Sequence, residues 1–219
     1  MAGAAHEWAR LCGLKAAWLY AASLAAMVAF LSFQLETAWQ GVFAIAAAFW
    51  LVLVPLWLWR GLPGTRVLAM AGVLALVPAG LAMAVLPPRQ LLAVLVLIWI
   101  ADSAAYFVGR AFGRRKLAPS ISPGKTWEGA AGGAAGAMAW AIILATFTEG
   151  IAWVPFLVAA AILAVISIVG DLFESAVKRK AGVKDSGTLL PGHGGILDRI
   201  DSAVAALPIA AFLAPMVRT

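Results

Sequence analysis

Hydrophobic residues run along this chain in long blocks rather than in the stripes or alternations of a protein that folds in water. Seven mostly apolar stretches, near 15–33, 40–59, 67–86, 90–109, 128–148, 151–173 and 199–217, lie between breaks marked by charge, Pro or Gly. A helix needs about 20 such residues to cross a bilayer. The pattern predicts an all-α polytopic integral membrane protein with about seven transmembrane helices. The first stretch follows Arg10 and Lys15, is too long for a signal-peptide core and closes on no small-residue cleavage pattern, so it is expected to be retained. Composition agrees: of 219 residues, 64% are hydrophobic and 12% charged, against about 45–50% and about 25% in soluble domains. A soluble globular enzyme is excluded, and so is a disordered chain, which would be poor in apolar residues. The single cysteine, Cys12, excludes an internal disulfide and a cysteine-rich zinc site.

The basic residues test the helix count. If the loops take alternate sides, one side receives Arg10, Lys15, Arg60, Arg66, Arg110, Arg114, Arg115, Lys116, Lys125, Lys178, Arg179, Lys180, Lys184 and Arg199. The other receives only Arg89 and Arg218, the remaining two of the 16. Lys and Arg collect on the cytoplasmic side of membrane proteins, so the N-terminus is expected in the cytoplasm and the C-terminus outside. The net charge of +6 is then mostly a matter of topology, and no nucleic-acid partner is needed to explain it. Residues 1–219 read as one membrane domain, with N-terminal helices over 1–89, catalytic helices over 90–219, and cytoplasmic loops 110–127 and 174–198. His6 falls in an N-terminal tail with no expected role.

Within the apolar blocks, two overlapping G-x-x-x-G spacings, Gly129/Gly133 and Gly132/Gly136, mark a face for close helix packing. Chemistry is expected where polarity is costly. Five of the ten acidic residues, Asp102, Glu128, Asp171, Glu174 and Asp201, fall at apolar stretches, and ionisable groups there usually face a cavity, a partner or a pathway. Continuing the sixth helix brings Asp171, Glu174, Ser175 and Lys178 onto one face. The glycines of Pro191-Gly-His-Gly-Gly195 let backbone N–H groups of Gly194 and Gly195 approach a ligand. Asp198 and Asp201 stand three apart at the start of the seventh helix. With Asp171 they offer hard oxygen donors suited to magnesium, and Lys178, Arg179, Lys184 and Arg199 add positive charge for phosphates. His193 could act as a proton carrier or a phosphate donor, or simply hydrogen-bond its loop. In the other cytoplasmic loop, Ser122, Lys125 and Thr126 are candidate phosphate contacts. Gly124-Lys-Thr is not a P-loop, because Pro119 stands where that motif needs glycine and no strand precedes it. Metal, cations and glycine loop together are the equipment of phosphoryl or nucleotidyl transfer.

Ser175-Ala-Val-Lys-Arg179, Lys184-Asp185, Leu190-Pro191, His193-Gly-Gly195 and Asp198-Arg-Ile-Asp201 resemble, gap for gap, the signature of the phosphatidate cytidylyltransferases, or CDP-diacylglycerol synthases. Asp102-Ser-Ala-Ala-Tyr-Phe-Val-Gly109 and Ser122-Pro-Gly-Lys-Thr-Trp-Glu-Gly129 resemble the bacterial branch, and the likeness runs more loosely back to Glu7-Trp-Ala-Arg10. One departure is that bacterial members carry further hydrophobic sequence before that last stretch, where here Met1 stands almost against it. The resemblance implies an enzyme of the bacterial inner membrane, with its active site on the cytoplasmic side, that condenses CTP with phosphatidate to give CDP-diacylglycerol and pyrophosphate. It implies magnesium, with potassium in some members, held by Asp171, Asp198 and Asp201, and a homodimer. Lys184 and His193 join these aspartates as expected catalytic residues. Asp102 is open to metal-bound water, substrate or a neighbouring helix.

The rival reading is a transporter or ion pathway using intramembrane carboxylates. A CDP-alcohol phosphotransferase is disfavoured by the absence of its D-x-x-D-G-x-x-A-R pattern.

Overall fold

Each of the seven apolar stretches folds as a helix in the computed structural model, which describes residues 1–188 and 194–217. In chain order the helices are α1 (Ala2–Leu11), α2 (Ala17–Ser32), α3 (Glu36–Ala48), α4 (Val54–Arg60), α5 (Thr65–Val85), α6 (Pro88–Phe112), α7 (Trp127–Thr146), α8 (Trp153–Lys180) and α9 (Leu197–Leu213). A π-helical turn, Phe49–Leu53, joins α3 to α4 without a break. It precedes Pro55, whose missing N–H and bulky ring disturb the hydrogen bonding of the turn before it. A short 3-10 turn, Ala214–Val217, extends α9.

Six of these helical runs are long and apolar enough to cross a membrane. The first expected span is shorter than its apolar stretch. Helix α2 has 16 residues, about 24 Å at 1.5 Å per residue, against a hydrocarbon core of about 30 Å. It nonetheless runs beside α5 in the same direction: the Tyr20 hydroxyl donates to Ala69 O at 2.7 Å, and further along Val28 lies against Gly80.

Three expectations change in detail. The N-terminal tail is the helix α1, whose Ala4, Ala5, Glu7, Trp8 and Ala9 are buried, and the His6 ring stacks on Trp18 at 3.9 Å. The segment 174–180 is not loop, because α8 stays helical to Lys180. The loop between α6 and α7 folds as a hairpin of β1 (Lys116–Ala118) and β2 (Ser122–Thr126), with Lys116 opposite Thr126 and Ala118 opposite Ser122.

The hairpin is fixed from the next helix. The Glu128 carboxylate accepts the backbone N–H groups of Arg114 at 3.1 Å and Arg115 at 3.2 Å. Thr126 caps α7 by accepting from Gly129 N at 3.1 Å.

Helix α9 packs on α3, α5, α6 and α8 and so joins the two halves of the chain. Phe173 of α8, 1% exposed, anchors the N-terminal side. Its ring centroid lies 5.7 Å from those of Trp8 and Trp50, 6.1 Å from Phe49 and 6.2 Å from Trp57. On the other side, the glycines of α7 let it close onto α6. A Cβ at Gly129 would stand 2.8 Å from Ala105 O, and one at Gly133 equally close to Ala101 O, so the expected packing face is where the helices meet.

At one end of the bundle, Lys180 Nζ donates to Leu62 O at 3.4 Å and Arg179 Nε to Ile121 O at 3.4 Å, which gathers the α4–α5 loop, the hairpin and the end of α8. At the other end Ala152 N donates to Val217 O at 3.1 Å.

Candidate active site

The charged residues buried by the apolar blocks converge at the end that carries the hairpin. There a cavity of ≈ 700 Å³ opens between α6, α7, α8, α9 and β2. Asp102 of α6, Asp171 of α8 and Asp198, Arg199 and Asp201 of α9 line it, with Ser122, Lys125 and Thr126 of the hairpin. Trp99, Ala105 and Tyr106 add an apolar wall.

The approach of α8 to α9 depends on a missing side chain. A Cβ at Gly170 would lie 2.7 Å from both Asp201 O and Ala205 Cβ. Glycine therefore brings Asp171 and Asp201 to the same cavity from two helices. Asp102, Asp171, Asp201 and Lys125 lie within electrostatic reach of one another, and Ser202 lines the cavity with them. Lys125 Nζ pairs with Asp171 Oδ2 at 2.5 Å, while the Ser175 hydroxyl donates to Asp171 Oδ1 at 3.2 Å.

The expected trio Asp171, Asp198 and Asp201 shares the cavity but is not one ligand cluster. Among the described residues, no three His, Cys, Asp or Glu side chains are grouped to hold a metal ion. Asp198 is committed elsewhere. Its Oδ1 accepts from Lys178 Nζ at 2.6 Å, and its Oδ2 accepts from Gly195 N at 2.8 Å, Ser186 N at 2.9 Å and the Ser186 hydroxyl at 3.0 Å. Asp198 thus ties Ser186 and Gly195 to the first turn of α9. Asp171, its side chain 29% exposed, lines the cavity with Asp201 and Asp102.

Other expected residues also find different work. Lys178 stands behind the cavity, between Asp198 and Glu174, the latter at 2.7 Å, which bears out the shared face of α8. Gly194, at φ +82, and Gly195 bend the chain about Asp198; the Gly195 N–H serves that carboxylate rather than a ligand. Thr126 is buried and its hydroxyl oxygen accepts from Gly129 N as the α7 cap, while Ser122 and Lys125 line the cavity beside it. Arg179 lies outside the cavity, in a separate cleft with Arg60 and Lys180. Lys184 is exposed in the loop and does not line the cavity. His193 lies outside the described residues.

One residue with no expected role stands at the centre of this framework. Glu7 of α1 is 1% exposed, and its carboxylate accepts from Ile196 N at 3.0 Å, Leu197 N at 2.8 Å and the Ser186 hydroxyl at 3.0 Å. A signal was available: Glu7 shares a helix face with Ala4 and Leu11 by its three- and four-residue steps, so a carboxylate sat on the buried side of an amphipathic turn. Its neighbours His6 and Arg10 made the segment read as polar tail.

A helical protein of the membrane, with carboxylates and cations meeting in one cavity at one end of its bundle, is suited to joining phosphate-bearing molecules where lipid meets water. Comparison with known proteins identifies the kind. The model of the cytidylyltransferase family matches residues 1–217. The phosphatidate cytidylyltransferase of Pseudomonas aeruginosa is 42% identical over 227 residues, covering 95% of this chain and 82% of that protein. That of Haemophilus influenzae is 52% identical over 123 residues, covering 54% of this chain and 43% of the relative. That of Bacillus subtilis is 50% identical over 123 residues, with 54% and 44% covered. This chain belongs to the cytidylyltransferase family and is a multi-pass membrane nucleotidyltransferase.

Proposed function

We propose that this chain condenses CTP with phosphatidate, giving CDP-diacylglycerol and pyrophosphate. The observation that carries the reading is the cavity in which Lys125 and Arg199 face Asp102, Asp171 and Asp201 beside an apolar wall, in a chain 42% identical to a phosphatidate cytidylyltransferase along nearly its whole length. A phosphate oxygen of phosphatidate attacks the α-phosphorus of CTP; that P–O bond forms as the bond from the α-phosphorus to the bridging oxygen breaks, and pyrophosphate leaves with the electron pair. Phosphatidate is already anionic at neutral pH, so the reaction needs no strong general base. The obstacle is electrostatic repulsion between two anions, and preorganised cations meet it. Lys125 is placed to trade its contact with Asp171 for one with phosphate. The cavity's apolar wall suits the lipid's glycerol and upper acyl carbons, while its charged side suits the nucleotide.

The donor set fits magnesium, which is usually held by one or two carboxylates with water and substrate phosphates completing its shell rather than by an all-protein cage. Asp171 and Asp201 would hold it, while Asp198 is already engaged by Lys178 and by the backbone N–H groups of Ser186 and Gly195. Bound there, the ion would neutralise phosphate charge. The inner membrane, a cytoplasmic site, seven crossings and a homodimer belong to the same proposal. They rest on the basic residues gathered at the cavity end and on the resemblance in sequence.

The test is direct. Purified protein in detergent with phosphatidate, magnesium and labelled CTP should place label in the lipid phase, and EDTA should stop it. Asp171→Asn and Asp201→Asn should each lower the rate by about 100-fold or more, with the protein still inserted. No lipid label from the wild type would overturn the reading, and uptake of solute by vesicles without lipid product would favour transport.

A further inference from the structure

The first N–H groups of a helix have no partners within it. Those at the start of α9 are met from the far end of the chain, because Ile196 N and Leu197 N both donate to the Glu7 carboxylate of α1. The same carboxylate reaches into the preceding loop. The Ser186 oxygen stands 3.0 Å from Glu7 Oε2 and 3.0 Å from Asp198 Oδ2. A serine has one hydroxyl hydrogen, so the hydroxyl serves one carboxylate at a time and bridges the pair.

The loop is moulded closely around Glu7. A Cβ at Gly187 would lie 2.5 Å from Glu7 Oε1, and one at Gly195 2.5 Å from Glu7 Oε2. Any side chain at either position would displace the carboxylate.

A buried carboxylate is a costly way to hold a helix in place, since removing it from water is unfavourable unless hydrogen bonds compensate. Among the described residues, the compensating bonds of Glu7 come from Ser186, Ile196 and Leu197, which lead into Asp198 and Asp201. We propose that Glu7 is a positioning residue: it touches no substrate, but it sets the first turn of α9, and with it the direction in which Asp201 faces Asp171 across the cavity. Ser186 is its link to Asp198. This role rests on the reaction proposed above, for which Asp201 must meet Asp171 within a fraction of an ångström.

The experiment separates positioning from folding and from the reaction itself. Glu7→Gln, Glu7→Ala, Ser186→Ala and the double variant Glu7→Gln/Ser186→Ala are purified in detergent, quantified as folded protein, and assayed with labelled CTP and phosphatidate. A misplacement of about 1 Å can cost about 100-fold in rate, so kcat should fall in the order Glu, Gln, Ala, by about tenfold for Glu7→Gln and about 100-fold for Glu7→Ala. KM for CTP should stay within about threefold, because Lys125 and the hairpin are untouched. Since the two residues act in series, the double variant should be no slower than Glu7→Gln alone. Amide hydrogen exchange, which does not depend on activity, should quicken at Gly195, Ile196 and Leu197 and stay unchanged in α6 and α7. A kcat within about twofold of wild type in both Glu7 variants, or faster exchange spread over all helices, would overturn the positioning role. Absence of lipid label from the wild type, with exchange quickened locally in the variants, would instead sink the assigned reaction and leave the anchoring by Glu7 intact.

Discussion

Asp198 and Asp201 sit one helical turn apart and do different work. Asp198 has both oxygens filled by Lys178, Ser186 and Gly195, so its loss should be felt in the fold. An Asn there breaks a largely buried ion pair and leaves N–H donors short of an acceptor, and should cost about 2–4 kcal/mol, read as a lower Tm in detergent. Asp201→Asn should leave Tm within a few degrees while removing activity. A matched fall in Tm for both variants would show that the two carboxylates are not divided in this way.

Cys12 lies at the end of α1, 6% exposed, and burial pushes its thiol up to about 11. Burial disfavours the thiolate, so the folded chain keeps this proton through the window between the ordinary value of 9.0 and about 11, where the unfolded chain loses it. Cys12 should therefore resist maleimide at pH 8.5 until the protein is unfolded in SDS, and stability should decline as pH rises through that window. Rapid labelling of the folded protein at pH 8.5 would contradict this.

Residue chemistry was legible in the sequence where polarity broke an apolar run. Asp102, Asp171 and Asp201 stand out in this way, and all three reach the cavity. Glu7 and Asp198 were harder to read because each lies among other polar residues, and nothing in a local pattern says whether a carboxylate serves a ligand or a backbone N–H, be it 3 and 12 positions away for Asp198 or 189 and 190 for Glu7.

At the scale of elements, the site depends on how closely helices approach. Gly170 allows α9 to lie against α8, and Gly129 and Gly133 allow α7 to lie against α6. Gly170→Val would force a side chain against Asp201 O and Ala205 Cβ and spread α8 from α9. It should reduce activity by about 100-fold while membrane insertion persists, and Ala at the same position should fall between. Wild-type rates from the valine variant would show that the two helices need not meet there. The G-x-x-x-G spacings marked a close-packing face on α7 from sequence, and the structure supplied α6 as its partner. Gly170 had no such spacing, and its importance appears only with its partner helix in place. The hairpin was likewise hidden, because its two short strands are held by Glu128 and by each other and carry no run of β-branched residues.

For the whole molecule, the arrangement places α1, the hairpin and the α8–α9 loop at one end and the 147–152 turn and residue 217 at the other. With the cavity end in the cytoplasm, a single cysteine at Glu149→Cys on a Cys12→Ala background should react with an impermeant maleimide in intact spheroplasts. Val183→Cys should react only after the membrane is opened. The reverse pattern would invert the orientation, and equal labelling of both would mean that α8 does not cross the membrane.

Blocks of apolar sequence determined that this chain is a helical membrane protein and roughly where its helices lie, because the cost of exposing backbone polar groups to lipid leaves a long apolar segment few alternatives to a helix. The charge distribution set the expected orientation, and the spacing of Asp, Lys, His and Gly pointed to nucleotidyl transfer. What those residues do for one another was settled by tertiary structure alone. Asp198 became an anchor, Arg179 moved to another cleft, and Glu7 came in from the other end of the chain. Hydrogen bonds and ion pairs act over about 3 Å in space, and distance along a sequence carries no measure of that.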